Sequence, residues 1–254
     1  MNDLVRRRFD DPVSRACLLV SALLVASGLI HLGVFVLDDR PWHGPVSWRK
    51  PFTFGLSFGV TLATVVWVTS YLRMAARTRR ILLVVFAVDC VVEVAGITLQ
   101  AWRDVPSHLN TSTPFNTAVA MTLAVGGGVL VVVLGWFAVV AIRGRVDGPP
   151  SMVLAQRVGW ALMLAGLASG AAMIARGSVA RAQGDSAATM YRVTGFLKDF
   201  HGATLHAVLV LPALAWLLGR TDLRETTRLR VVRLAALVYV AVAVGVLVVD
   251  LGRL

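Results

Sequence analysis

Seven apolar runs of about 20 residues constrain this chain most, because that length matches the hydrocarbon thickness of a bilayer crossed by a helix rising about 1.5 Å per residue. They lie at about residues 17–37, 52–72, 81–102, 116–142, 154–174, 201–218 and 234–249. Backbone in hydrocarbon must satisfy its own hydrogen bonds, and no alternating barrel-type strands are visible. The predicted fold is therefore an all-α membrane protein of seven transmembrane helices forming one domain, residues 1–254. The first run is too long for the apolar core of a signal peptide, so it reads as a retained span.

A net charge of +11 would suggest nucleic acid in a water-soluble chain, but here the basic residues flank the apolar runs. No basic face with interleaved aromatics is present, so the lipid bilayer is the expected partner and nucleic acid is not. Of 25 lysines and arginines, 16 fall on the amino terminus and loops two, four and six, and 9 on the other side. The positive-inside rule then predicts a cytoplasmic amino terminus and an extracytoplasmic carboxyl terminus.

Local signals place helix ends and contacts. Pro51 opens the second span, and Thr113 with Pro114 caps the fourth. Gly55 with Gly59, and Gly166 with Gly170, are small residues four apart that suit close helix crossings. The triplet Gly126, Gly127 and Gly128 predicts a kink or a close crossing, since no strand precedes it and no lysine follows, as a phosphate loop requires. Pro212 predicts a kink in the sixth span. Met190, Val193 and Leu197 recur at helical spacing, which predicts a short amphipathic surface helix before that span. Cys17 and Cys90 lie at different depths, too far apart for a disulfide.

The third span carries the most unusual pattern. On a helix, Asp89, Glu93, Gly96, Gln100 and Arg103 fall within an arc of roughly 80°. Carboxylates facing lipid are costly, about 2.5 kcal/mol or more each, so this stripe predicts a buried polar site. The odd-numbered loops add His43, Arg49, Lys50, His108, Asn110 and Lys198, with His31, His201 and His206 near the same ends of their helices. The candidate site is thus an outward-facing polar pocket.

Four readings of that pocket remain open. In the first, histidines hold a metal ion or haem in a membrane oxidoreductase or hydrolase acting on an amphipathic substrate, with His108, His201 and His206 as metal ligands and His31 with His206 as axial haem ligands. His201 and His206 are five apart and diverge by about 140° on a regular helix, so a shared ion needs an irregular start at His201-Gly202. The second is a site for a small amphipathic substrate, with Glu93 or Asp89 as general acid or base and Arg103, Lys50, Arg49, Gln100, Asn110 and Lys198 as binding groups. The alternative for Asp89, Glu93 and Arg103 is a satisfied ion-pair and hydrogen-bond network between helices. The third is proton- or cation-coupled transport along the carboxylate stripe. The fourth is a non-catalytic assembly or interaction subunit.

Three segments carry a family resemblance. They are Trp48-Arg49-Lys50-Pro51-Phe52-Thr53-Phe54 with Ser57; Glu93 with Gln100-Ala101-Trp102-Arg103, Ser107-His108-Leu109-Asn110 and Thr113-Pro114-Phe115; and His201 with Leu205-His206-Ala207 and Leu211-Pro212. Together they resemble a family of uncharacterised bacterial polytopic membrane proteins. The resemblance implies a multi-pass protein of the bacterial inner membrane and carries no activity with it. Members of that family often carry a glutamine where this chain has Leu209.

Overall fold

A computed structural model describes residues 3–253. All its named elements are helical: α1 (Asp3–Phe9), α2 (Pro12–Leu37), α3 (Arg49–Thr69), α4 (Ala76–Trp102), α5 (Pro114–Arg143), α6 (Pro150–Ala182), α7 (Ala187–Thr194), a 3₁₀ turn (Gly195–Leu197), α8 (Lys198–Leu218) and α9 (Glu225–Gly252). Seven of the helices are long and apolar enough to cross a membrane. They match the seven predicted spans, but most extend further. The fifth continues from the predicted residue 174 to Ala182. The charged flanks still have helix-forming sequences, so the helices do not stop where hydropathy falls.

Caps and crossings follow the sequence. The Thr113 side chain accepts from the Asn116 backbone N–H at 3.1 Å, and Asp11 caps α2 in the same way. The largest interfaces are α2 against α3 and α6 against α8. At the first, Gly28 and Gly55 meet backbone to backbone: a methyl at Gly55 would lie 2.8 Å from the Cα of Gly28. At the second, Gly159 sits on Val208, Gly166 on Thr204 and Leu205, and Gly170 on the His201 ring. Pro212 lies inside an uninterrupted α8. Of the glycine triplet only Gly126 makes a close crossing, since the Cβ positions of Gly127 and Gly128 are open.

The bundle has two unlike ends. At the arginine end, Arg8 donates to the carbonyls of Ser70 and Leu72 and to Asp147, which also takes Arg73. The Asp147 backbone N–H donates to Tyr71 O at 2.7 Å, and Leu72 pairs with Val146 as an isolated β-bridge. Arg79, buried, binds Asp11, Ser14 and the carbonyls of Arg8 and Val66. Burial pushes the Asp11 and Asp147 carboxyls up, but their hydrogen bonds and the adjacent arginines outweigh it and hold both below the usual aspartate range.

The other end carries the loops 38–48 and 103–113 and the segment 183–197 that includes α7 and the 3₁₀ turn. Helix burial differs sharply between the two halves. In the arginine half, α5 buries Val133, Leu134, Phe137, Ala138 and Ala141, and α6 buries Ala155, Gln156, Gly159, Trp160 and Met163, broad faces on both helices. Phe137 and Trp160 meet there with ring centroids 6.1 Å apart. In the loop half α5 buries only the single file Asn116, Ala120, Leu123 and Gly126, and α6 only Gly166, Ser169, Gly177 and Ala180. Burial is therefore two-sided in the arginine half and one-sided in the loop half.

Candidate functional site

The third-span stripe faces α5 along its whole length. Asp89 is the middle residue of the 27 in α4, and both Asp89 and Glu93 are buried. A methyl at Gly126 would lie 2.5 Å from Glu93 Oε1 and 2.8 Å from Asp89 Oδ1, so the missing side chain is what gives the two carboxyls their space. One helical turn further out, Leu123 covers Gly96 with Cδ2 2.9 Å from its Cβ position. Beyond it, Asn116 Oδ1 accepts from Gln100 Nε2 at 3.1 Å and from Arg103 Nη1 at 2.7 Å. The Arg103 guanidinium also lies over the Phe115 ring at 4.5 Å.

This divides one of the alternatives. Arg103 is almost four helical turns from Asp89 and joins an inter-helix hydrogen-bond network with Gln100 and Asn116, while among the described residues it makes no ion pair with Asp89 or Glu93. Neither carboxyl has a hydrogen-bond or ion-pair partner among the described residues, and Asp89 Oδ2 is buried without one.

The histidines are dispersed. His31 uses both ring nitrogens, Nδ1 donating to Ser27 O at 2.7 Å and Nε2 accepting from Trp102 Nε1 at 3.1 Å. It stacks on Trp48, which Arg40 covers at 4.3 Å, so His31 belongs to an aromatic pin between α2, α3 and α4. His201 Nδ1 donates to Gly166 O at 2.8 Å between α6 and α8. His206 is exposed on α8 and bonds only its own Gly202 carbonyl. His43 is exposed in its loop. Among the described residues no three of His, Cys, Asp and Glu are grouped as a metal ion requires. The expectations of a metal held by His108, His201 and His206, and of haem between His31 and His206, find no support in this arrangement.

What the fold does gather is cationic. Lys50 in the first turn of α3 and Lys198 in the first turn of α8 are the only lysines in the chain. Lys50 lies within electrostatic reach of Lys198, of Arg49 and of His108. Neither lysine has an ion-pair or hydrogen-bond partner among the described residues. Arg49 is engaged, donating to Tyr191 Oη at 2.8 Å and to Trp42 O. His108 shares a 2.9 Å hydrogen bond with Ser107 Oγ and packs on Phe54, centroids 6.0 Å apart. Burial and the positive charge of Lys50 together hold the His108 imidazole down to about 4, so it is neutral at pH 7.

Two segments roof this cluster. Asn110 organises the 103–113 loop, its side chain donating to Pro106 O and accepting from Ser112. Leu109 takes a left-handed backbone, φ 59°, strained for a side chain of that size. Its side chain and Thr194 of α7 both fill the space over Gly177 of α6. Below the roof, Lys50, Phe54, Ser57, Phe58 and Thr61 share a face of α3 about 100° wide, every one partly exposed. Phe54 and Phe58 belong with Val129, Leu130, Leu164 and Leu167 to the partly buried rim of the core.

Sequence reasoning placed Lys50, Arg49, Lys198 and His108 in one site but missed Ser107, Asn116, Leu123 and the role of Gly126. A polar residue three positions past a cap, and a glycine at carboxylate depth on the next span, were the available signals. Comparison with family models, with curated proteins and with solved structures finds no match to this chain.

Proposed function

We propose that this is a multi-pass protein of the bacterial inner membrane that binds, from the outer side, an amphiphile with an anionic head, and acts as a binding and transport protein rather than a metal- or haem-dependent enzyme. The observation that carries it is Lys50, which among the described residues has no ion-pair partner, feels the charges of Arg49 and of the only other lysine, Lys198, and keeps His108 beside it neutral at the loop end. Unpaired ammonium groups at a membrane interface attract an anion. At an effective dielectric of about 20, one contact at about 4 Å contributes about 4 kcal/mol before desolvation. The aromatic face of α3 leads from Lys50 towards mid-membrane and suits an alkyl tail, while Asn110 and Gln100 support the surrounding loop and seam. The arginine distribution supports an outward orientation.

The test uses single-chain probes that differ only in the head. Purified protein in neutral detergent is melted with dodecyl phosphate, dodecyl maltoside or dodecyltrimethylammonium. Dodecyl phosphate alone should raise the melting temperature, and Lys50→Gln or Lys198→Gln should each weaken its binding about tenfold, or about 1.4 kcal/mol. Equal stabilisation by all three probes, or unchanged binding by both variants, defeats the reading. Orientation is tested separately by labelling Ser112→Cys in intact cells. Labelling only after permeabilisation would reverse it.

A further inference from the structure

We propose that Asp89 and Glu93 form a proton-holding pair at mid-membrane, exchanging its proton with the loop end along the α4–α5 seam. The geometry has three parts. First, Glu93 Oε1 and Asp89 Oδ1 converge on one spot, the place a Gly126 side chain would occupy. Second, both residues are more than nine-tenths buried, and Asp89 Oδ2 has no partner. Third, among the described residues no positive group bonds to them. On the helices packed against α4, the titratable and basic groups are Arg15, Cys17 and His31 of α2, Arg49 and Lys50 of α3, and Arg143 at the far end of α5. None of these, and none of Arg77, Arg79, Arg80, Cys90 or Arg103 on α4 itself, forms a hydrogen bond or ion pair with either carboxyl.

Two adjacent carboxylates cannot both stay ionised without water or a cation. The pair must therefore carry at least one proton as a carboxylic acid O–H, and its release leaves a carboxylate that the second carboxyl can share. No bond other than O–H forms or breaks, and the co-reactant is water at the loop end.

The seam gives the exchange a direction. Towards the arginine end the neighbours are Phe86, Leu83, Val133 and Phe137, all buried and apolar. Towards the loop end Leu123 over Gly96 separates the pair from the Gln100, Asn116 and Arg103 group. A leucine side chain rotates without disturbing backbone, so Leu123 is the gate. This site is distinct from the lysine cluster, and either can fail without the other.

The experiment is infrared difference spectroscopy of the full chain in lipid nanodiscs at neutral pH. A protonated-carboxyl band is expected in the wild type, shifting to lower frequency in D₂O. It should vanish in the double variant Asp89→Asn/Glu93→Gln, and its shift after transfer to D₂O should be at least tenfold faster in Leu123→Ala. Absence of the band in the wild type overturns the proposal and needs no variant. Survival of the band in a folded double variant also overturns it. Loss of the wild-type band on adding sodium chloride at constant pH would instead identify a metal-cation site.

Discussion

Acid should weaken this protein in two separable stages, the first belonging to His108. Its imidazole titrates near 4 in the folded chain because burial and Lys50 disfavour the cation, against about 6.5 when unfolded. Between those values the unfolded chain binds a proton that the folded one refuses. Stability is thus complete above about pH 6.5 and falls as pH drops, levelling near pH 4. The full window is worth about 3 kcal/mol at 1.36 kcal/mol per unit, and about 2 kcal/mol is lost by pH 5. Asp11 and Asp147 add their own losses only below the ordinary aspartate range, because their folded values are depressed. The assay is thermal unfolding in dodecyl maltoside between pH 4.5 and 7.5, followed by a thiol-reactive dye, since Cys17 and Cys90 are both free and buried. His108→Gln should flatten the curve across this window, and Lys50→Gln should shift its midpoint upward by removing the nearby charge. An identical pH dependence in wild type and a folded His108→Gln would refute the assignment.

Two further outcomes probe the scaffold by the same thiol assay. Gly55→Ala brings a methyl to 2.8 Å from backbone atoms of both Gly28 and Leu24, which cannot yield as side chains do, so it should cost about 1–3 kcal/mol, while Gly33→Ala, with open space around it, should cost nothing. Asp147→Asn removes the carboxylate shared by Arg8 and Arg73; both arginines keep some solvent, so about 1–2 kcal/mol should be lost above pH 5 and less than that at pH 3.

The spans were legible because hydropathy has a scale set by the bilayer, and the caps because Thr113 and Pro114 act within one helical turn. The glycine crossings were legible as faces but not as partners: nothing local says that Gly28 meets Gly55, or that Gly126 belongs with Glu93. Asp89, Glu93 and Gln100 of the stripe are buried while Arg103 is exposed, and the stripe's angle alone could not tell a network with Arg103 from a pair apart from it. That depended on Asn116, a residue of another helix, capturing the guanidinium. The histidines misled for a related reason. Similar depth in the membrane says nothing of azimuth, and His31 and His206 turned out to face a tryptophan and open surface.

The tied arginine end bears on how the molecule can move. Arg8, Arg73 and Arg79 bind the start of α2, the link from α3 to α4 and the link from α5 to α6 through the half-buried Asp11, the buried Asp147 and a β-bridge. The loop end has its roof fastened mainly by single contacts such as Arg49 to Tyr191 and Leu109 over Gly177. Such a body is built like tongs, with a riveted base and two arms, α2–α5 on one side and α6, α8 and α9 on the other. Rocking about that rivet would spread Lys50 from Lys198 and leave the base unchanged, so the site would open and close at the loop end alone by tilt of whole helix groups, without unwinding any span.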